Sequence, residues 1–380
     1  MANTITEVLP KLLAQGLLAL RENVMMPRLV NGSYSNLAAQ KGNVINIPIP
    51  SAISARTVTP AVTHAANQDV SPTAAVVTLD FWREASFQLS DNDFVSVMNG
   101  TIPMQASEAI KALANAVDAY VLGKISGVYG LAGTPGSTPF SGSLNMAVSA
   151  RQLLNEQLAP LSDRRMVIDP SAESNALLNT QILQFDQRGD AGGIIRGTIG
   201  TKLGFDWFMD QNITSFTPGT GWATGYSIST VSGLAGEATL NITNTTASGT
   251  VLVGDIFSIG GVAGQYVVTA ATTASATVPF AISINPALRQ SHATGVALTV
   301  VGTAYTRNIA FHRDAFAWAS RPLQDVPAPG VNMQSVVDPV SGVALRLEVS
   351  RQYKQTTFSY DILGGANLIR PELAAIVAGQ

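Results

Sequence analysis

A long helix predicted from Ile102 to about Gly127 is the feature that most constrains the fold of this chain. Large apolar side chains recur there at spacings of three and four, which places them on one helical face: Ile110, Leu113, Val117, Tyr120 and Val121. Alanine, the strongest helix former, fills many positions between them. At 1.5 Å per residue the helix is roughly 35 Å long. Such a helix needs a sheet or other helices along its apolar stripe.

Composition limits the kinds of partner that this chain can have. Its 380 residues are enough for two or three domains. The net charge of -3 gives no basic surface for tight binding of nucleic acid. Charged residues make up only 12% of the chain, against about 25% in ordinary soluble domains. A surface this poor in charge favours contact with other protein, and self-association is the simplest interpretation.

The sequence contains no cysteine, which excludes disulfides, thiolate catalysis and cysteine-ligated metal. Charged residues interrupt the N-terminal apolar run at Glu7, Lys11 and Arg21, so we expect neither a signal peptide nor a membrane span. An amphipathic helix is predicted over residues 8–24.

Two alternating segments predict a long two-stranded extension. Ile45, Ile47 and Ile49 alternate with Asn46, Pro48 and Pro50, which restricts this strand to a sheet edge. The second arm has apolar residues at alternating positions from Val77 to Leu89. Because an isolated two-stranded arm is marginally stable in water, we expect it to lie on a support, with a neighbouring subunit as the natural candidate.

The composition changes sharply after Gln211. From there to Thr306 only Glu237, Asp255 and Arg289 carry full charge. The segment consists of short apolar runs with turn signals between them, a pattern typical of a β-sandwich or β-barrel. It predicts an all-β module inserted into an α/β region that resumes at Arg307.

The remaining elements complete a mixed α and β pattern. A helix is predicted over residues 144–158 and a strand over 165–168, after which Asp169 is a good N-cap for a helix beginning at Pro170. Near the C-terminus, residues 345–349 and 358–362 alternate as two antiparallel strands, and a short strand ends the chain.

The sequence provides no constellation for catalysis or for binding a cofactor or a metal. The three histidines, His64, His292 and His312, lie in different segments, so no metal-binding pair exists. The glycine-rich segment 193–204 lacks the Gly-Lys pattern of a phosphate loop. The cluster from Asp91 to Asp93 lacks the distal glutamate of a calcium loop and is better explained as a helix cap. We therefore predict a non-enzymatic chain without catalytic, cofactor or metal residues.

Taken in order, these parts resemble the tailed-phage major capsid protein, in the branch that carries an inserted β-barrel. The resemblance rests on ANTITEVLPKLL, NVINIPIP, TLDFWREASFQLSDND, QASEAIKALANAVDAYVLGKI, VGDIFSIGGV, RNIAFHRDAFAWASRPL and YDILGGANLIRPELAAIV. It implies an α+β fold with an N-arm, an E-loop, a spine helix, a P-domain and an A-domain, together with an inserted all-β barrel or sandwich.

The domain limits that the resemblance implies follow the compositional changes. They are an N-terminal arm at 1–42, the E-loop at 43–95, the spine helix and P-domain at 96–143, the A-domain at 144–215, the inserted barrel at 216–303, the A-domain return at 304–330 and P-domain strands at 331–380. Arg56 and Asp69, the two charged residues near the tip of the E-loop, are the implied contacts between subunits.

The function that the resemblance implies is mechanical. Pentamers and hexamers of this chain would tile an icosahedral shell in the virion, assembled in the bacterial host cytoplasm around double-stranded DNA. The implied partners are other copies of the chain, a scaffolding protein, a portal and non-specifically contacted DNA, with no membrane and no cofactor. The alternatives are another virion structural protein, such as a tail or spike component, and a carbohydrate-acting enzyme with a β-sandwich module.

Overall fold

A computed structural model provides the coordinates. It describes residues 13–34 without 15 and 21–23, residues 43–51 with 53, 55, 57 and 58, and residues 71–92, 101–183, 197–222, 227–228, 233–243, 248–275, 278–325 and 329–380.

The described residues form a mixed α and β structure, as the sequence predicts. The helices are α1 (Met26–Leu29), α2 (Thr101–Gly123), α3 (Asn145–Glu156), α4 (Pro170–Leu178) and α5 (Thr180–Leu183). The first twelve strands are β1 (Val44–Ile49), β2 (Thr73–Thr78), β3 (Phe81–Ser90), β4 (Leu131–Ala132), β5 (Arg164–Ile168), β6 (Thr201–Lys202), β7 (Phe205–Met209), β8 (Ser215–Phe216), β9 (Ser227–Ile228), β10 (Thr239–Thr243), β11 (Gly249–Val251) and β12 (Ile256–Ile259). The others are β13 (Gln265–Val268), β14 (Thr272–Ala274), β15 (Phe280–Asn285), β16 (Leu298–Val300), β17 (Tyr305–His312), β18 (Phe316–Ser320), β19 (Val331–Val337), β20 (Ala344–Gln352), β21 (Gln355–Leu368) and β22 (Ala374–Ala378).

The chain divides into two compact units, of which the first contains Met1–Glu22, Gly32–Leu113 and Ala317–Ile369. Its main sheet has five strands in the order β18-β21-β20-β19, with β3 also paired to β21. Strands β20 and β21 are antiparallel, with Leu345 opposite Ile362, as the alternation predicts. Leu345, Leu347 and Tyr360 are fully buried, so one face of this sheet carries the core of the unit.

The second unit contains Asn23–Asn31, Ala114–Phe316 and Arg370–Gln380. Its central sheet is mixed, in the order β4-β22-β17-β5-β7-β6, and β8 pairs with the start of β17. Strand β17 is antiparallel to β5 and β22, whereas β5 and β7 are parallel. The strands β5, β17 and β22 are almost fully buried, which is typical of strands covered on both faces.

Helix α2 confirms the prediction from the apolar periodicity. It runs from Thr101 to Gly123 and continues as a 3₁₀ helix from Lys124 to Gly127, where the predicted helix ends. The predicted stripe is mostly buried, because Ile110, Val117 and Val121 have no exposed surface and Leu113 has almost none. Tyr120 is the exception, since it is only partly buried.

Most of the smaller elements also lie where the sequence predicts them. Helix α4 begins at Pro170, and the Asp169 carboxylate accepts a hydrogen bond from the Ser171 backbone N–H, as an N-cap does. Residues 13–14 and 16–20 are helical within the predicted N-terminal helix. In the part of the chain that the structure describes, no helix combines the length and hydropathy needed to cross a bilayer.

Candidate functional site

The predicted extension exists, but its second arm is shorter than the sequence indicated. Strands β1 and β2 pair antiparallel, from Val44 opposite Thr78 to Ile49 opposite Thr73. Strand β3 does not continue this ribbon, because it pairs with β21 over its whole length. The alternating pattern from Val77 to Leu89 therefore covers two strands of different sheets, which is a correction to the prediction of one arm. Arg56 and Asp69 lie outside the described residues, so their role as contacts stays a prediction.

The base of the extension packs on its own chain. Ile45, Ile47 and Val77 form a buried cluster with residues of the same unit. These residues are Leu79 between β2 and β3, Ala317 and Ala319 on β18, and Ile369 after β21. A Cβ on Gly365 would collide with the backbone carbonyl of Thr78, so this close approach requires glycine. The base of the extension therefore has the support that the sequence predicts, and this support comes from the same chain and not from a neighbouring subunit.

The charge-poor segment builds a core of its own. Six strands form an antiparallel sheet in the order β16-β12-β13-β15-β10-β9, and β11 and β14 form a separate pair. Residues from both sheets share one apolar cluster: Leu240, Ile242, Val251, Phe257, Ile259, Tyr266, Val268, Ala274, Ile282, Ile284, Leu288 and Leu298. Phe257 and Tyr266 stack within this cluster with their ring centroids 5.7 Å apart. The predicted strand content of the segment is therefore confirmed.

A buried carboxylate organises the entry into this segment. Asp255 has no exposed surface, and its two oxygens accept three hydrogen bonds. The donors are the Gly219 backbone N–H at 3.0 Å, the Leu252 backbone N–H at 2.7 Å and the Trp222 indole Nε1–H at 2.6 Å. These donors come from the first residues of the segment and from the turn before β12, so one side chain joins two stretches of the chain.

Arg307 lies where the segment returns to the central sheet. Its guanidinium carbon is 3.5 Å from the centroid of the Phe216 ring, and its Nη2 donates to the Gly254 carbonyl at 3.3 Å. Burial lowers the pKa of Arg307, with nearby Tyr305 and Asp255 opposing that effect. Since Phe216 belongs to β8 and Arg307 to β17, this stacked pair joins the two ends of the segment at one place.

A second buried carboxylate holds the segment that contains α1. Asp118 on helix α2 is 1% exposed and accepts hydrogen bonds from the Met26 backbone N–H at 2.9 Å and the Met25 backbone N–H at 3.0 Å. The pKa of Asp118 is raised to about 7, mainly by burial and to a smaller extent by the Asp210 carboxylate, while the backbone donors and Arg28 partly oppose this rise. Burial also raises the pKa of Asp210.

The residues considered for catalysis or metal binding have structural roles where they are described. The Asp91 carboxylate accepts hydrogen bonds from the Arg351 guanidinium at 2.9 and 3.0 Å. His312 is buried, and its Nδ1 accepts a hydrogen bond from the Asp314 backbone N–H. Within the described ranges, no group of three or more histidine, aspartate or glutamate residues is placed to hold a metal ion. His64 and most of the glycine-rich segment lie outside those ranges.

Comparisons with known proteins give a likeness of fold. Neither a family model nor a curated protein matches the sequence. The fold is similar to that of a chain from Mycobacterium phage Che8, with 15% identity and a TM-score of 0.55 over 93% of this chain and 90% of that one. A chain from the capsid of cyanophage P-SCSP1u has 14% identity and a TM-score of 0.49 over 89% of this chain and 84% of that one. A chain from the mature capsid of bacteriophage PhiM1 has 11% identity and a TM-score of 0.47 over 89% and 82%. The resemblance to phage capsid proteins that the sequence indicates is thereby confirmed at the level of the fold.

Proposed function

We propose that this chain is the major capsid protein of a tailed bacteriophage, a structural protein and not an enzyme. The observation that carries the proposal is the fold shared with the Che8 phage chain, which covers 93% of this chain and 90% of that one. The low fraction of charged residues, 12%, supports the proposal that much of the surface contacts other copies of the chain.

In this proposal, pentamers and hexamers of the chain form an icosahedral virion shell around double-stranded DNA. Assembly takes place in the bacterial host cytoplasm with a scaffolding protein and a portal. The 22 lysine and arginine residues are outnumbered by 25 aspartate and glutamate residues, so the shell contacts DNA weakly and without sequence specificity. Arg56 and Asp69 in the E-loop provide contacts to a neighbouring subunit.

Purified protein is the direct test of assembly. We expect sedimentation velocity and negative-stain electron microscopy to detect rings of five or six copies, or closed shells, at micromolar concentration and moderate salt. The closed point-group symmetry of such assemblies produces discrete sedimenting species. A monomer at every salt and protein concentration would contradict the proposal, and rods or fibres would favour the tail alternative.

The proposal also assigns a role to the charge-poor segment, as a domain inserted into the A-domain at 216–303. We propose that it lies on the outer face of the shell. The junction at Phe216 and Arg307 supports this assignment, because both ends of the segment leave the central sheet at one place. The inner face is then left to the DNA.

The fragment 217–302 is expected to fold alone. Its shared cluster contains twelve buried residues, and burial of a large apolar side chain contributes about 1.5–3 kcal/mol. We expect dispersed amide proton shifts and a cooperative thermal transition from the isolated fragment. A random-coil spectrum would mean that the segment requires the rest of the chain.

A further inference from the structure

The end of helix α3 carries a leucine in an unfavourable position. Leu158 has a φ of 59°, in the left-handed region that glycine prefers, and its side chain is 89% exposed. The Ala159 N–H donates to the Leu154 carbonyl at 2.9 Å and the Leu158 N–H to the Asn155 carbonyl at 3.0 Å. This is a Schellman cap, in which the position of Leu158 is normally glycine. A glycine here would relieve the backbone and remove exposed apolar surface, so the isolated chain gains nothing from leucine.

The loop that carries this leucine is firmly held. Leu161, three residues further on, is 70% exposed. Between them Ala159 is buried, and the buried Arg164 side chain donates from Nε to the Pro160 carbonyl at 2.6 Å and from Nη2 to the Ala159 carbonyl at 2.7 Å. We call residues 158–161 the leucine loop. Two exposed leucines on a braced backbone form a contact surface that needs little ordering when it binds.

A cavity of about 490 Å³ begins next to the leucine loop, because Gln157, the residue before Leu158, is part of its lining. Leu153, Glu156 and Gln157 on and after helix α3 line one side of it, and the turn between β12 and β13 lines the other. Its apolar lining comes from Tyr129, Leu153, Val262 and Ala263. Because Leu158 is almost fully exposed, its side chain does not fill the cavity of its own chain.

We propose that the leucine loop of one copy inserts into this cavity of the next copy around a ring. The occupant is a second copy of this chain, an inference that rests on the proposed function. The argument is one of shape: an apolar projection and a partly apolar depression adjoin on one face. When such a pair lies near a rotation axis, each copy contacts the next head to tail, and the contact closes into a ring. Burial of Leu158 in the neighbouring copy then explains why this position is leucine, although glycine would suit the single chain better.

Substitution of Leu158 separates this contact from the stability of the chain. For Leu158→Gly we expect an unchanged or higher melting temperature of the dissociated chain, because glycine suits the positive φ. We also expect the concentration for half-maximal assembly to rise about tenfold or more, as for the loss of an interface hot spot. Leu178→Ser serves as the control, since Leu178 is 72% exposed at the end of α4 without a positive φ. An equal loss of assembly in that control would overturn the assignment to the leucine loop.

Disulfide formation tests the geometry directly, because the chain has no cysteine of its own. We expect oxidised particles assembled from a mixture of Leu158→Cys and Ala263→Cys chains to give a covalent dimer on a non-reducing gel. Particles of either variant alone should give much less, because a disulfide requires two Cα atoms within about 7 Å. Wild-type particles that form normally while the mixture does not cross-link would overturn the inference alone. A wild-type chain that never assembles would overturn the proposed function, and with it this contact.

Discussion

Replacement of Asp255 by alanine is expected to unfold the β-rich segment at temperatures where the wild-type chain is fully folded. The carboxylate is fully buried and is the shared acceptor for Gly219, Leu252 and Trp222. Alanine leaves these donors without that acceptor, at a position where the carboxylate itself has no exposed surface. Each buried donor that loses its partner costs about 1–3 kcal/mol, so we expect the free energy of unfolding to fall by about 3–5 kcal/mol.

The measurement is thermal unfolding together with amide hydrogen exchange, residue by residue. We expect the exchange of β12, β13 and β15 to accelerate strongly in Asp255→Ala, while β20 and β21 in the other unit keep their protection. Asp255→Asn keeps one oxygen acceptor and should lie between the two. Glu237→Ala is the matched control, since Glu237 is an exposed acidic residue of the same segment that accepts one hydrogen bond, from the Leu234 N–H. A loss below about 1 kcal/mol in Asp255→Ala would show that the carboxylate does not organise the segment.

Periodicity and caps made much of the fold predictable from the sequence. Helix α2 follows from apolar spacing of three and four, and helix α4 from an aspartate followed by a proline. Both signals lie within or next to the helix that they predict, so they do not depend on the tertiary structure. The strand content of the charge-poor segment was also predictable. Short alternating apolar runs predict strands that share a core, whichever strands pair with each other.

Strand partners were less predictable, because an alternating pattern does not specify a neighbour. The run from Val77 to Leu89 alternates through both β2 and β3, yet these strands join different sheets. The change occurs where Leu79 and Phe81 are both buried, against different parts of the unit. Nothing within such a run distinguishes one strand of ten residues from two shorter ones, since the period is the same.

The buried carboxylates were missed for a different reason. Asp118 lies four residues after Ala114 and three before Val121, so the sequence already places it on the buried face of α2. An acidic residue on an apolar stripe is a signal of a buried carboxylate, but the spacing of the apolar residues alone does not reveal it. Asp255 has no comparable signal, because its donors come from loops whose positions depend on the tertiary structure.

The free energy of unfolding is expected to depend on pH because the pKa of Asp118 is raised in the folded chain. Its pKa in the folded chain is about 7, against 3.8 as the ordinary value. The folded state therefore binds the proton more tightly than the unfolded state. The contribution of Asp118 is fully present below about pH 4 and is lost as the pH rises from 4 to 7. A difference of about three pKa units corresponds to about 4 kcal/mol between the two ends of this window.

A difference measurement isolates this contribution from other carboxylates. We expect the free energy of unfolding of Asp118→Asn, minus that of the wild-type chain, to increase by up to about 4 kcal/mol between pH 4 and pH 8. Asparagine is uncharged throughout, and its side-chain oxygen can still accept the N–H groups of Met25 and Met26. Urea unfolding of the dissociated chain at several pH values provides both free energies of unfolding. The spectroscopic probes are placed in the unit that contains α1.

The control for this experiment lies on the same helix. Glu108 is exposed and pairs with Lys111, so Glu108→Gln should change the free energy of unfolding by a small amount that is nearly the same at pH 5 and pH 8. Burial also raises the pKa of Asp210, and the expected gain at high pH already includes the repulsion between Asp118 and Asp210 that Asp118→Asn removes. If the difference between Asp118→Asn and the wild-type chain stays constant from pH 4 to pH 8, the carboxylate is charged in the folded state throughout. In that case the hydrogen bonds from Met25 and Met26 stabilise the ionised Asp118 carboxylate, and its protonation does not contribute to stability in this pH range.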